Sequence, residues 1–197
     1  KFLIISLFIV FLNSTNNSYS AEKIIEDYGI IAIMYHRFEE NKYPSTNIKI
    51  ADFISHIDII QNQNIKFIKA EEFGRYLNSD NKSQKVLLTI DDAYLSFYNK
   101  AWPILKKKNI PFILFVSTQE VGKFNYMNWD QIREIAKEDF VYIGNHSHTH
   151  GYLIDESSEY IIKDLTKSIK ILEKEIGYRL KFFSYPFGEY SVEFKSI

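Results

Sequence analysis

A chain of 197 residues with 46% hydrophobic and 16% aromatic content is long enough for one domain with a sizeable core and too short for two comfortable ones. Its 24 basic and 25 acidic residues are well mixed and sum to a net charge of -1, which excludes the electrostatic footprint of a nucleic-acid binder and suits a neutral or weakly charged substrate. The absence of cysteine excludes disulfides and thiolate ligands and leaves His, Asp and Glu to hold any ion.

The amino-terminal stretch reads as a secretory signal peptide: Lys1, an apolar run over 2–12, a polar Asn/Ser/Thr segment, then Ser20-Ala21, where cleavage is expected. The apolar run is shorter than the roughly 20 residues a membrane span requires. A buried strand or an uncleaved anchor is the alternative, and only the anchor would bring the chain to a membrane. The expected organisation is a leader over 1–20 and one domain over 21–197, secreted or held in the periplasm or cell envelope.

From Tyr28 short apolar runs alternate with longer amphipathic ones, the mark of a βα-repeating fold with a mostly parallel sheet. The first strand, 30–34, delivers Tyr35-His36-Arg37-Phe38 at its C-terminal end, where α/β proteins tend to build sites. His36 is either functional there or a histidine bonded within a loop. A helix over 51–63 spaces Phe53, Ile57 and Ile60 on one face and carries His56 at its surface. A short strand at 65–68, a helix over 71–77 and a polar turn over 78–84 follow.

The run 86–90 is apolar and β-branched, reads as a fully buried strand, and ends abruptly in Asp91-Asp92. Burying unpaired carboxylates costs on the order of several kcal/mol per ion, so such a pair points to a metal, a cation or a shared proton. The alternative is an N-cap for the helix expected over 97–108. A strand at 112–116 and a loop over 117–127 lead to Asn128, the expected N-cap of a helix over 129–137. Trp129 either floors a sugar subsite or packs that helix. After a strand at 141–143 comes Asn145-His146-Ser147-His148-Thr149-His150-Gly151, which places three of the five histidines within five residues. His146 and His150 are four apart, so on a helical turn both imidazoles share a face and can grip one ion, with an oxygen ligand from the Asp91-Asp92 pair. A helix over 157–176 has Ile161, Leu165, Ile169, Leu172 and Ile176 on one face and Gly177 as its stop, and a last strand at 182–185 runs into Pro186-Phe187-Gly188.

Three ordered motifs, Thr89-Ile90-Asp91-Asp92-Ala93-Tyr94, His146-Ser147-His148-Thr149-His150 and Phe183-Ser184-Tyr185-Pro186-Phe187-Gly188, resemble those of the polysaccharide deacetylases, carbohydrate esterases that include chitin, peptidoglycan and poly-N-acetylglucosamine deacetylases. The likeness covers roughly 30–188, and Met34-Tyr35-His36-Arg37 and Ala101-Trp102-Pro103-Ile104-Leu105 are similar to the secreted bacterial members. The resemblance implies a distorted (β/α) barrel, an α/β fold here incomplete at its C-terminus. It also implies a divalent metal held by Asp92, His146 and His150, with Asp91 as general base and the backbone N–H of Phe187 as an oxyanion donor. The reaction implied is removal of N-acetyl groups from a GlcNAc-type polysaccharide. Zn2+ is the default ion for two imidazoles and a carboxylate, and Co2+, Ni2+ or Fe2+ suits the same set. His148, between the two ligands, is expected to point elsewhere.

The chain departs from the family pattern in three places. Ser184-Tyr185 occupy the region where many members carry an Arg that pairs with the catalytic aspartate, so Asp91 needs another holder, for which Arg37 is a candidate. Ala93 stands where Gly is usual. The family's last motif, a Leu-x-His whose histidine is the general acid, belongs beyond Gly188, and no histidine follows His150. Either the domain over 21–197 is C-terminally truncated, or another group such as His36 delivers the proton. The competing reading, from a different class, is an inactive secreted glycan-binding module that keeps the fold. The missing Arg and acid histidine favour it, and the intact Asp91, Asp92, His146 and His150 disfavour it.

Overall fold

A computed structural model describes residues 29–78 and 83–197, so the expected leader over 1–20 and the middle of the polar turn over 78–84 lie outside the described residues. The chain runs β1 (Gly29–Tyr35), β2 (Arg37–Phe38), β3 (Asn47–Ile48), α1 (Ile50–Asn62), β4 (Lys66–Phe67), α2 (Phe73–Leu77), β5 (Gln84–Ile90), α3 (Trp102–Lys108), β6 (Phe112–Val116), α4 (Trp129–Ile135), β7 (Val141–Asn145), α5 (Ser158–Ile176) and α6 (Val192–Ser196). All pairings of the main sheet are parallel, in the order β1-β5-β6-β7, and β4 lies beside the first half of β5 opposite β1. The expected last strand is reduced to one parallel bridge, Asn145 to Phe183. The architecture is the α/β fold expected from the sequence, and among the described residues hydrogen bonds do not close the sheet into a barrel.

The central strands are apolar on both faces because both faces are covered. From Val86 to Ile90 every residue of β5 is buried, as is all of β6. Strand alternation then sorts their side chains. Leu88, Ile90, Phe112, Leu114 and Ile143 pack with Phe53, Phe97, Trp102, Leu105 and Ile132 from the covering helices. Leu87, Ile113, Phe115 and Tyr142 form a second cluster on the opposite face.

Helix boundaries follow local chemistry. Asn128 accepts from Gln131 N at 2.9 Å while the Gln131 side chain accepts from Asn128 N at 2.9 Å, a reciprocal cap at the expected position. Ser157 caps α5, and Gly177 ends it in the left-handed conformation. Trp129 packs against the core, as the packing alternative had it. Two expectations are corrected. The helix expected over 97–108 opens as a π turn at Phe97–Ala101 before α3 begins, because Pro103 lacks the N–H for an ordinary turn and its ring crowds the carbonyl four residues back. On α5 the buried stripe is Ile161, Asp164, Ser168 and Leu172, whereas Ile169 is exposed. The helix turns a carboxylate inward, toward the histidine loop.

Candidate active site

The C-terminal ends of β1, β5 and β7 and the bridge residue Phe183 bring the chemistry-bearing residues to one edge of the sheet. On β5 the alternation that places Leu87 and Thr89 on one face continues to Asp91, and on β7 that of Tyr142 and Gly144 continues to His146. The ladders extend past the strands to support both: Asp91 N donates to Tyr35 O at 2.9 Å and His146 N to Val116 O at 3.1 Å. Asp92 and His150 reach the same place by left-handed backbone, with φ of 70° at Asp92, 55° at Ala93, 68° at Ser147 and 52° at His150. A conformation that disfavours side chains explains why glycine suits the position of Ala93.

This corrects the helical-turn reading of the histidine cluster. The segment after Asn145 is an irregular loop, and its shape is imposed by polar side chains. Asp164, buried on α5, accepts from His148 N at 2.7 Å, Thr149 N at 3.1 Å and Thr149 Oγ1 at 2.7 Å. Ser147 Oγ accepts from His150 N at 3.0 Å. His148 points away, with its Nδ1 at 2.7 Å from Thr118 Oγ1.

Asp92 Oδ1 lies 2.9 Å from His150 Nε2 and 3.4 Å from His146 Nε2, and one ligand atom from each residue falls within 4.8 Å of the others. Donors on a tetrahedron with zinc-like bonds of about 2.1 Å stand about 3.4 Å apart, so the three fit a single divalent ion. His146 is also in the right form. The His146 Nδ1–H donates to Ser184 O at 2.8 Å, which leaves the Nε2 lone pair toward Asp92. Burial lowers the His146 pKa to about 4, keeping it neutral. Burial also pulls His150 down, but its hydrogen bond to Asp92 and the charge of that carboxylate more than offset this and leave it raised. For Asp92 burial raises the pKa, and the neighbouring histidines outweigh it to leave it lowered. Asp92 Oδ1 and His150 Nε2 are thus held together through a shared proton, the position a cation would take.

Asp91 is in a different position. It is 3% exposed, and burial first, then the charge of Asp92, raises its pKa to about 7. Ser184 Oγ donates to its Oδ2 at 3.1 Å, while Oδ1 is buried with no partner. Arg37 does not hold it: the guanidinium pairs with Glu40 at 3.0 Å and lies over the rings of Tyr94 at 3.4 Å and Tyr43 at 4.0 Å. Ion pair and rings together satisfy that cation on the far side of Tyr94.

A cavity of about 740 Å³ opens over these groups and is shared by His36, Asp91, Asp92, His146, His150 and Phe187. His36 is half-buried, and burial lowers its pKa against the pull of Asp92. Phe187 has a left-handed φ of 62° and its ring, 60% exposed, meets the His150 imidazole edge-on at 4.9 Å. His56 is on the outer surface of α1, bonded to the Tyr35 hydroxyl at 2.7 Å. Asp164 and Ser184 are the organising residues that sequence reasoning missed. Asp164 left a signal, a carboxylate inside an apolar helical stripe; Ser184 left none beyond its place before the Pro-Phe-Gly turn.

A parallel α/β fold with a carboxylate and two imidazoles gathered at the C-terminal edge of its sheet defines a class of α/β proteins with a candidate metal site. Within that class the assignment is direct: a family model described as polysaccharide deacetylase matches residues 78–197, and the chain belongs to that family. It is 31% identical over 156 residues to the poly-beta-1,6-N-acetyl-D-glucosamine N-deacetylase of Staphylococcus aureus, covering 72% of this chain and 54% of that protein. The chain therefore spans about half the length of the curated relatives it matches. Among solved structures it is similar to IcaB from Ammonifex degensii, with TM-score 0.80, 25% identity and coverage of 86% of this chain and 78% of the other. The deacetylase PplD of Streptococcus pyogenes, at TM-score 0.76 and 23% identity over 85% of this chain and 77% of that one, shares the fold.

Proposed function

We propose that this chain is the catalytic domain, over 21–197, of a secreted metal-dependent hydrolase that removes N-acetyl groups from a GlcNAc-type polysaccharide. The observation that carries the reading is the convergence of Asp92, His146 and His150 on a point beside the buried carboxylate of Asp91. The named activity of the Staphylococcus aureus relative supports the substrate class. So does the rim of the cavity, where Phe187 and Tyr190 are each 60% exposed and Tyr152 stands 5.8 Å from the Phe187 ring, a surface suited to the apolar face of a pyranose.

An amide is a poor electrophile, so its hydrolysis needs an activated water, a polarised carbonyl and a proton for the departing amine. A divalent ion, Zn2+ by default, held by Asp92, His146 and His150 would supply Lewis-acid polarisation and water activation. Asp91, beside the three donors and lining the same cavity, takes the proton of the attacking water. The Phe187 N–H, not used by a turn that closes through Gly188 N and Glu189 N, donates to the carbonyl oxygen as negative charge develops. His36 shares the cavity and passes a proton to the amine, its burial making the imidazolium a stronger acid.

The test is acetate release from N-acetylglucosamine oligomers by the chain stripped of metal and reloaded with zinc or cobalt. Release that appears only on reloading is the expected result. A folded sample that binds one ion per chain and the oligomer yet releases no acetate would favour the glycan-binding module.

A further inference from the structure

Asp91 raises a question of placement. It is nearly fully buried, its neighbour Asp92 carries like charge, and the candidate cation Arg37 is engaged elsewhere. The nearest imidazole nitrogen, His146 Nε2, is 4.0 Å from Oδ2, beyond hydrogen-bond reach. Among the described residues the hydrogen-bond donor to the Asp91 carboxylate is the Ser184 hydroxyl, at 3.1 Å. The same residue's main chain accepts the His146 Nδ1–H at 2.8 Å, and its N–H is fixed on Asn145 O at 3.0 Å beside the Asn145–Phe183 bridge.

On the reading of Asp91 as the base, we propose that Ser184 is its positioning residue: the hydroxyl anchors Oδ2, the carboxylate oxygen nearest the histidine ligands, and so fixes the plane of the carboxylate, while the Ser184 carbonyl independently fixes a metal-ligating histidine. One residue thereby sets the base and a ligand in register, through separable parts of itself. A carboxylate with one oxygen anchored has a defined plane; without the hydroxyl it turns about its last torsion, which is broad. Hydroxyl donation to a carboxylate suffices where no guanidinium is available, because charge-assisted hydrogen bonds are the strong ones.

The experiment compares Ser184→Ala and Ser184→Thr with the unmodified chain, measuring kcat and KM for acetate release, zinc affinity by calorimetry, and crystal structures of the Ala variant and the unmodified chain. Expected for Ala is a kcat lower by about 10- to 100-fold, the range for losing a hydrogen bond to a charged group. KM and zinc affinity should stay within about 2-fold, because the carbonyl to His146 survives, and the Asp91 carboxylate should be rotated in the crystal. Thr, which keeps the hydroxyl, should recover most of the rate. Undiminished turnover by the Ala variant overturns the proposal, as does a rate lost in parallel with zinc affinity and not recovered by Thr. If the unmodified chain releases no acetate the assigned function fails separately, and an Asp91 carboxylate unmoved in the Ala crystal would overturn the positioning role by itself.

Discussion

Replacing Asp91 by Asn should make the metal-free protein more stable at pH 8 while nearly abolishing turnover. The carboxyl is buried and its pKa stands at about 7 against an ordinary 3.8. Between those values the folded state holds a proton that the unfolded chain has released, so stability falls as pH rises from about 4 to 7 and the loss is complete above 7. At about 1.4 kcal/mol per pH unit the interval sets a ceiling on the order of 4 kcal/mol. Asn has the same shape, carries no charge and still accepts from Ser184, so it relieves the cost without opening a cavity. Water entering the cavity screens part of the repulsion from Asp92, and we expect a gain of about 1–3 kcal/mol at pH 8, or roughly 3–10 °C in Tm. Urea unfolding of both proteins in chelator at pH 8 and pH 5 reads the effect, and the gap should shrink at pH 5. Acetate release by the reloaded Asn variant should fall by roughly 10²- to 10⁴-fold, the usual weight of a general base. A variant no more stable than its parent at pH 8, or one turning over at a comparable rate, would refute this account of Asp91.

Three further outcomes are expected. Saturating zinc should raise the unfolding free energy by about 3 kcal/mol when the free ion is a hundredfold above Kd, and His146→Ala should remove most of that increment in calorimetric scans. Gly144→Ala would drive a methyl into the Phe115 ring, which lies against His146; denaturant melts should register a loss of about 1–3 kcal/mol, with weakened zinc binding. Asp164→Ala leaves His148 N and Thr149 N without their acceptor, and a cost of about 2–4 kcal/mol should be accompanied by faster amide exchange in the loop carrying His150.

The sequence by itself determined the parallel α/β class, most helices and strands, and the residues that meet at the sheet edge. Those features rest on local physics: apolar runs that need two covered faces, a side-chain period of 2 or 3.6, caps such as Asn128 and Gly177, and chemistry too costly to bury without a use, as at Asp91-Asp92. Tertiary structure decided how the pieces converge. That His146 and His150 meet through a left-handed loop and not a helical turn depends on Asp164, a residue fourteen positions beyond His150 and turned inward by the packing of α5. That Ser184 and not Arg37 holds Asp91 depends on the bridge at Phe183 and on two tyrosine rings that capture the guanidinium. Contacts of this kind pair residues far apart in the chain, and no local pattern encodes them, because each is set by where the sheet and helices finally stand.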